Sequence, residues 1–111
     1  MSYYKYYITL EKEGYKFGLY PNNNNHQWVI ISNAFETSEK AEEQRRRFQS
    51  KVVVNGEKAF VIEKMGVGKY LFRFLDDEIE VKYVLGNTYL CKKKMRRIIK
   101  NINAPLKVRE D

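Results

Sequence analysis

Self-similarity at a spacing of 54 residues constrains this sequence more than any other feature. Gly14 meets Gly68, Val29-Ile30-Ile31 meets Tyr83-Val84-Leu85, and Asn33 meets Asn87. Phe35 likewise meets Tyr89, Phe48 meets Ile102 and Val52 meets Leu106, each pair keeping its chemical character. Around the first hairpin the better match slips by one, pairing Tyr15, Phe17 and Leu19 with Tyr70, Phe72 and Phe74, as a one-residue difference in turn length would produce. A repeat at this period means two like modules, neither large enough to bury a core alone.

Each half reads as the same series of elements. Tyr3 to Glu11 is rich in aromatic and β-branched residues, and Tyr4, Tyr6, Ile8 and Leu10 alternate onto one face, the mark of a half-buried strand. Glu13-Gly14 turns the chain into a second strand, Tyr15 to Tyr20. Pro21 and Asn22 to Asn25 are dense in turn formers, and Trp28 to Ile31 makes a third strand. Thr37 or Ser38 then caps a helix whose acids, Glu36, Glu39, Glu42 and Glu43, precede its bases, Arg45, Arg46 and Arg47, in the order the helix dipole favours. The second half repeats this with Phe60 to Lys64, a Met65-Gly66-Val67-Gly68 turn, Tyr70 to Leu75, the acidic turn Asp76-Asp77-Glu78, and Ile79 to Leu85. A last helix spans Cys91 to Ile102, where Met95, Ile98, Ile99 and Ile102 make an apolar stripe, and Asn103 and Pro105 end it.

Three strands and one helix barely enclose an interior, so the two halves are expected to join edge to edge. The expected fold is α+β: two β-β-β-α repeats, residues 1–57 and 58–111 of a single domain 1–111, forming one antiparallel six-stranded sheet with two helices on one face.

The order Tyr6-x-Ile8, Gly14-Tyr15-Lys16-Phe17-x-Leu19, an Asn-rich turn, Val29-Ile30-x-Ser32 and Phe35-x-x-Ser38-x-x-Ala41 resembles the repeat of the YegP-like family of small bacterial domains. A weaker second copy runs through Gly68, Phe72, Phe74, Val84, Tyr89 and Ile98, with Lys92 and Met95 standing where the first has Ser38 and Ala41. The resemblance implies a three-stranded meander plus a helix in each repeat, two repeats combining into one sheet. It implies no catalytic residues.

With 111 residues the chain excludes a large multidomain enzyme. No apolar run reaches the length of a signal sequence core or a bilayer span, and the single Cys91 cannot form an internal disulfide. These features together read as a cytoplasmic protein without a membrane partner.

The net charge of +7 is unevenly placed. Residues 1–57 hold 8 basic and 7 acidic side chains, residues 58–111 hold 13 and 7, and no acid occurs between Val81 and Val108. Lys92, Lys93 and Lys94 open the expected last helix, where the dipole penalises each cation by roughly 0.3–1 kcal/mol. With Arg96, Arg97 and Lys100 they form the candidate binding residues, and the reading is an anion surface for the phosphates of DNA or RNA, bound without sequence choice. The plainer alternative is a solvated helix face that keeps the chain dispersed. A further alternative is self-association through a sheet edge, or through the acidic turn against the basic helix, as a homodimer rather than a monomer.

Strand aromatics facing outward could stack bases, although such residues more commonly pack across strands. His26 has no second His with which to hold a metal. Cys91 beside three lysines could ionise, but no base lies near it in sequence. The acidic turn could take a cation, although such turns are common. Gly66-Val67-Gly68 is too short for a phosphate loop. No enzyme activity, metal or cofactor is expected.

Overall fold

The computed structural model describes residues 4–21, 29–76 and 78–108; His26, Trp28, Asn22 to Asn25 and Asp77 lie outside them. The alternating aromatic segment forms strand β1 (Tyr4–Glu11), paired antiparallel with β2 (Gly14–Pro21), so that Tyr6 faces Leu19 and Ile8 faces Phe17. Gly14 is required at the turn: its φ is +138°, and a Cβ there would stand 2.6 Å from the Phe35 carbonyl oxygen, which accepts the Tyr15 N–H. Strand β3 (Ile30–Ile31) is only two residues long. Helix α1 (Ser38–Asn55) starts at Thr37, whose hydroxyl accepts the Lys40 N–H at 3.0 Å. A 3-10 turn at Gly56–Ala59 leads into β4 (Phe60–Gly66), β5 (Lys69–Phe74) and β6 (Lys82–Leu85). Helix α2 (Thr88–Lys100) and β7 (Leu106–Val108) complete the described chain.

The expectation of one six-stranded sheet is overturned. The strands form two separate sheets, one in the order β3-β2-β1-β7 and one in the order β4-β5-β6. The reason lies at Ser32 and Asn33. Ser32 Oγ accepts the Phe17 N–H at 3.0 Å, taking the place of a strand carbonyl, so the regular ladder on β2 is interrupted after Ile31 and only the Ser32 N–H to the Phe17 carbonyl and a bridge between Tyr15 and Phe35 follow it. Asn33 then spans the gap between sheets: its N–H bonds the Glu80 carbonyl at 3.1 Å and its Oδ1 accepts the Glu80 N–H at 2.9 Å. One residue thus replaces an edge-to-edge ladder. On the opposite side, β7 pairs in parallel with β1, Tyr6 against Leu106, covering an edge that six antiparallel strands would have left open.

The constant 54-residue offset also fails, and the drift has a local cause. It holds for the first strands, where Tyr6 pairs with Leu19 across its hairpin as Phe60 pairs with Phe74 across the other. A bulge between Lys64 and Gly66 adds one residue, which accounts for the slip seen in the second strands. The β5–β6 connection is then four residues shorter than its counterpart, so Ile30 corresponds to Val81, not to Val84. From the caps onward Thr37 corresponds to Asn87, Ala41 to Cys91, Phe48 to Ile98 and Val52 to Ile102, the last three pairs being buried. The pairings of Phe35 with Tyr89, Phe48 with Ile102 and Val52 with Leu106 are therefore wrong. The pattern is not a clean β-β-β-α duplication.

Both sheets nevertheless enclose one cluster of buried side chains. Helix α1 packs on β1 and β2, and α2 packs on β4, β5 and β6. Phe48 joins the two: its ring centroid lies 5.7 Å from Phe17 in the first sheet and 4.8 Å from Phe74 in the second. Tyr6 ties β1 to the end of α2, donating its hydroxyl to the Ile102 carbonyl at 2.8 Å beneath the Arg45 guanidinium. Burial pushes that phenol well above its ordinary pKa, so it stays a donor.

Candidate functional site

Helix α2 begins three residues earlier than its apolar stripe suggests, because Asn87 Oδ1 accepts the Leu90 N–H at 2.8 Å and caps it. Lys92, Lys93 and Lys94 accordingly sit past the first turn, where the dipole no longer penalises them, while Arg97 and Lys100 occupy the last turn, where it favours them. The dipole violation read from the sequence is absent. What distinguishes the helix is its lack of counter-charges. Cys91, Met95 and Ile98 face the core, and Lys92, Lys93, Arg96, Arg97 and Lys100 are exposed. Among the described residues Lys92, Lys93, Arg97 and Lys100 form no ion pair, and Arg96 has only Glu57, 3.4 Å away and itself exposed. Lys94 is half-buried; desolvation, helped by the Arg97 charge, draws its pKa below the usual lysine value. The six residues predicted for the site therefore share one helix, five in solvent and one at its margin.

Four of the five cations of α1, Arg45, Arg46, Arg47 and Lys51, are paired within the chain, Lys40 being the exception among the described residues. Arg45 and Arg46 both bond Glu42, holding its carboxyl below the usual range, chiefly through the Arg45 hydrogen bonds. Arg47 and Lys51 converge on Asp76, at 3.1 and 2.7 Å, and Arg47 also reaches Glu78 at 2.6 Å. Burial works to raise the Asp76 pKa, but the Lys51 hydrogen bond, the Glu78 N–H and the Arg47 charge together bring it below the ordinary value. Asp76 and Glu78 thus serve as a clamp on α1; Asp77, between them, lies outside the described residues.

The remaining candidates lose their chemistry in the same way. Cys91 is fully buried, donates towards the Tyr70 carbonyl at 3.7 Å, and has its thiol pKa pushed up by desolvation, the reverse of a reactive thiolate. Tyr7 and Tyr20 on the outer side of the first sheet are buried edge-to-face against each other at 5.3 Å and offer no stacking platform. Among the described residues no three His, Cys, Asp or Glu side chains gather as metal ligands, and no helix is long and apolar enough to cross a membrane. Among the described residues the most concentrated group of exposed charge is the cationic face of α2.

Sequence reasoning missed Tyr89. Matched to the partly buried Phe35, it instead stands in the first turn of α2 with 69% of its surface exposed. Its signal was the Asn87-Thr88 cap, which places Tyr89 four residues before Lys93, on the same side of the helix.

Two three-stranded meanders, each followed by a helix and sharing one interior, define a class of small α+β domains. The solved structures of that class which this chain matches include YegP, a protein of unknown function from E. coli, at a TM-score of 0.79 with 12% identity, covering 97% of this chain and 94% of the other. A UPF0339 protein from Shewanella oneidensis matches at 0.76 with 14% identity, covering 96% and 92%. The chain has the YegP-like fold that its sequence resembles. No protein-family model and no curated protein matches the sequence.

Proposed function

We propose that this chain is a small non-enzymatic binding domain of the cytoplasm that holds the phosphates of DNA or RNA, without sequence choice, on the exposed face of α2. The observation that carries this reading is the contrast in pairing: α2 presents Lys92, Lys93, Arg97 and Lys100 to solvent without an ion pair among the described residues, whereas every arginine of α1 is paired with a carboxylate. Cations of this kind attract a polyanion mainly by releasing its condensed counterions, so affinity falls steeply with salt. The site comprises Lys92, Lys93, Lys94, Arg96, Arg97 and Lys100.

Fluorescence anisotropy of labelled DNA and RNA over a salt series tests it. The expected result is weak binding whose logarithm falls linearly with the logarithm of salt. Replacing Lys93, Arg96 and Arg97 by Gln should flatten the slope by about two for a single strand and leave the circular dichroism spectrum unchanged. Flat titrations at low salt would end the proposal.

A further inference from the structure

Tyr89, Lys93, Arg96 and Lys100 follow one another at spacings of four, three and four along α2, all exposed. At 3.6 residues per turn these spacings place the four side chains in a single row, roughly 16 Å long. The row has two chemistries. Its C-terminal part is cationic, and the Arg96–Glu57 contact within it is an exposed pair that a phosphate can displace. Its N-terminal end is an aromatic ring with no hydrogen bond or ring contact among the described residues. The ring's neighbour on the helix, Leu90, is exposed as well.

An evenly charged helix face would suit any polyanion, but a ring at the head of a cationic row suits one whose bases are open to stacking. A duplex hides its base faces within the helical stack and shows this surface only phosphates; a single strand shows both. Resting on the phosphate-binding reading above, we infer that the α2 surface takes single-stranded nucleic acid in preference to duplex, with Tyr89 stacking a base and Lys93, Arg96 and Lys100 holding the phosphates that follow.

The test titrates the full chain against a labelled oligothymidylate of about twelve nucleotides and against a duplex of the same length, with Tyr89→Ala and Tyr89→Phe variants alongside. Because Tyr89 is exposed and outside the core, neither variant should disturb folding. The expected result is tighter binding of the single strand, a loss of about tenfold in that affinity for Tyr89→Ala, retention for Tyr89→Phe, and duplex affinity unchanged throughout. Equal affinity for both probes, or a Tyr89→Ala effect that is nil or the same on both, overturns the single-strand inference while the phosphate reading stands. Binding to phosphatidylserine vesicles but to neither oligonucleotide overturns both.

Discussion

Helices α1 and α2 occupy matching places in the two halves and differ most in how their charges are met. Inward, Ala41, Phe48 and Val52 fill the positions that Cys91, Ile98 and Ile102 fill in the other half, all buried, while α1 also buries Gln44 and Arg45 where α2 has Lys94 and Met95. Arg45, Arg46, Arg47 and Lys51 of α1 are bound to Glu42, Asp76 and Glu78, whereas among the described residues the exposed cations of α2 have one ion pair, Arg96 to Glu57. The same scaffold position can therefore be used to lock a fold together or to leave charge available, and the choice rests on a few carboxylates in neighbouring turns.

The comparison can be broken first at the core. Phe48→Ala removes the ring shared by both sheets and should lower stability by about 3–5 kcal/mol, against about 2–5 for Ile98→Ala. Thermal or urea unfolding that ranks Ile98→Ala as the worse of the two would show that α2, not α1, holds the halves together. Next comes the clamp. Asp76→Asn should cost about 1–2 kcal/mol at neutral pH, since Arg47 and Lys51 remain partly solvated when their partner is lost. The sign with pH follows from the lowered Asp76 pKa: the wild-type advantage is complete above the unfolded carboxylate value near 4, and it disappears as pH falls through the lower folded value. A gap between wild type and variant that widens in acid contradicts the clamp. The two caps should be alike, Thr37→Ala and Asn87→Ala each costing about 1 kcal/mol; a silent Asn87→Ala would mean α2 starts later than described. The smallest effect is expected where charge is unsatisfied. Lys93→Gln with Arg97→Gln should change stability by less than about 0.5 kcal/mol, while Arg45→Gln with Arg47→Gln destabilises measurably and leaves oligonucleotide affinity intact.

Much of this architecture was legible in residue order, because local rules governed it. Period-two alternation located β1 and β2, Thr37 was legible as one of two caps for α1, and the Gly14 turn carries its own conformational demand. The failures occurred where distant segments decide. Ser32 and Asn33 look like ordinary connector residues, and nothing local discloses that their side chains interrupt one ladder and bridge to Glu80. Leu106 to Val108 is too short to announce a strand, and its partner is Tyr6 to Ile8 at the other end of the chain. A single offset misassigned the second helix because the connection preceding β6 had lost four residues, which hid both the Asn87 cap and the exposed Tyr89. The basic character of α2 was plain from composition alone, but whether its cations were paired depended on where Glu57, Asp76 and Glu78 lay in space.

The parallel ladder between β1 and β7 has a consequence for synthesis. Tyr6 leaves the ribosome 100 residues before Leu106, so β1 must wait for that much synthesis with one flank bare. A nascent chain with such a flank is vulnerable to wrong partners along it, and a ribosome that stalls between α2 and β7 would release a chain whose β1 is still open to them.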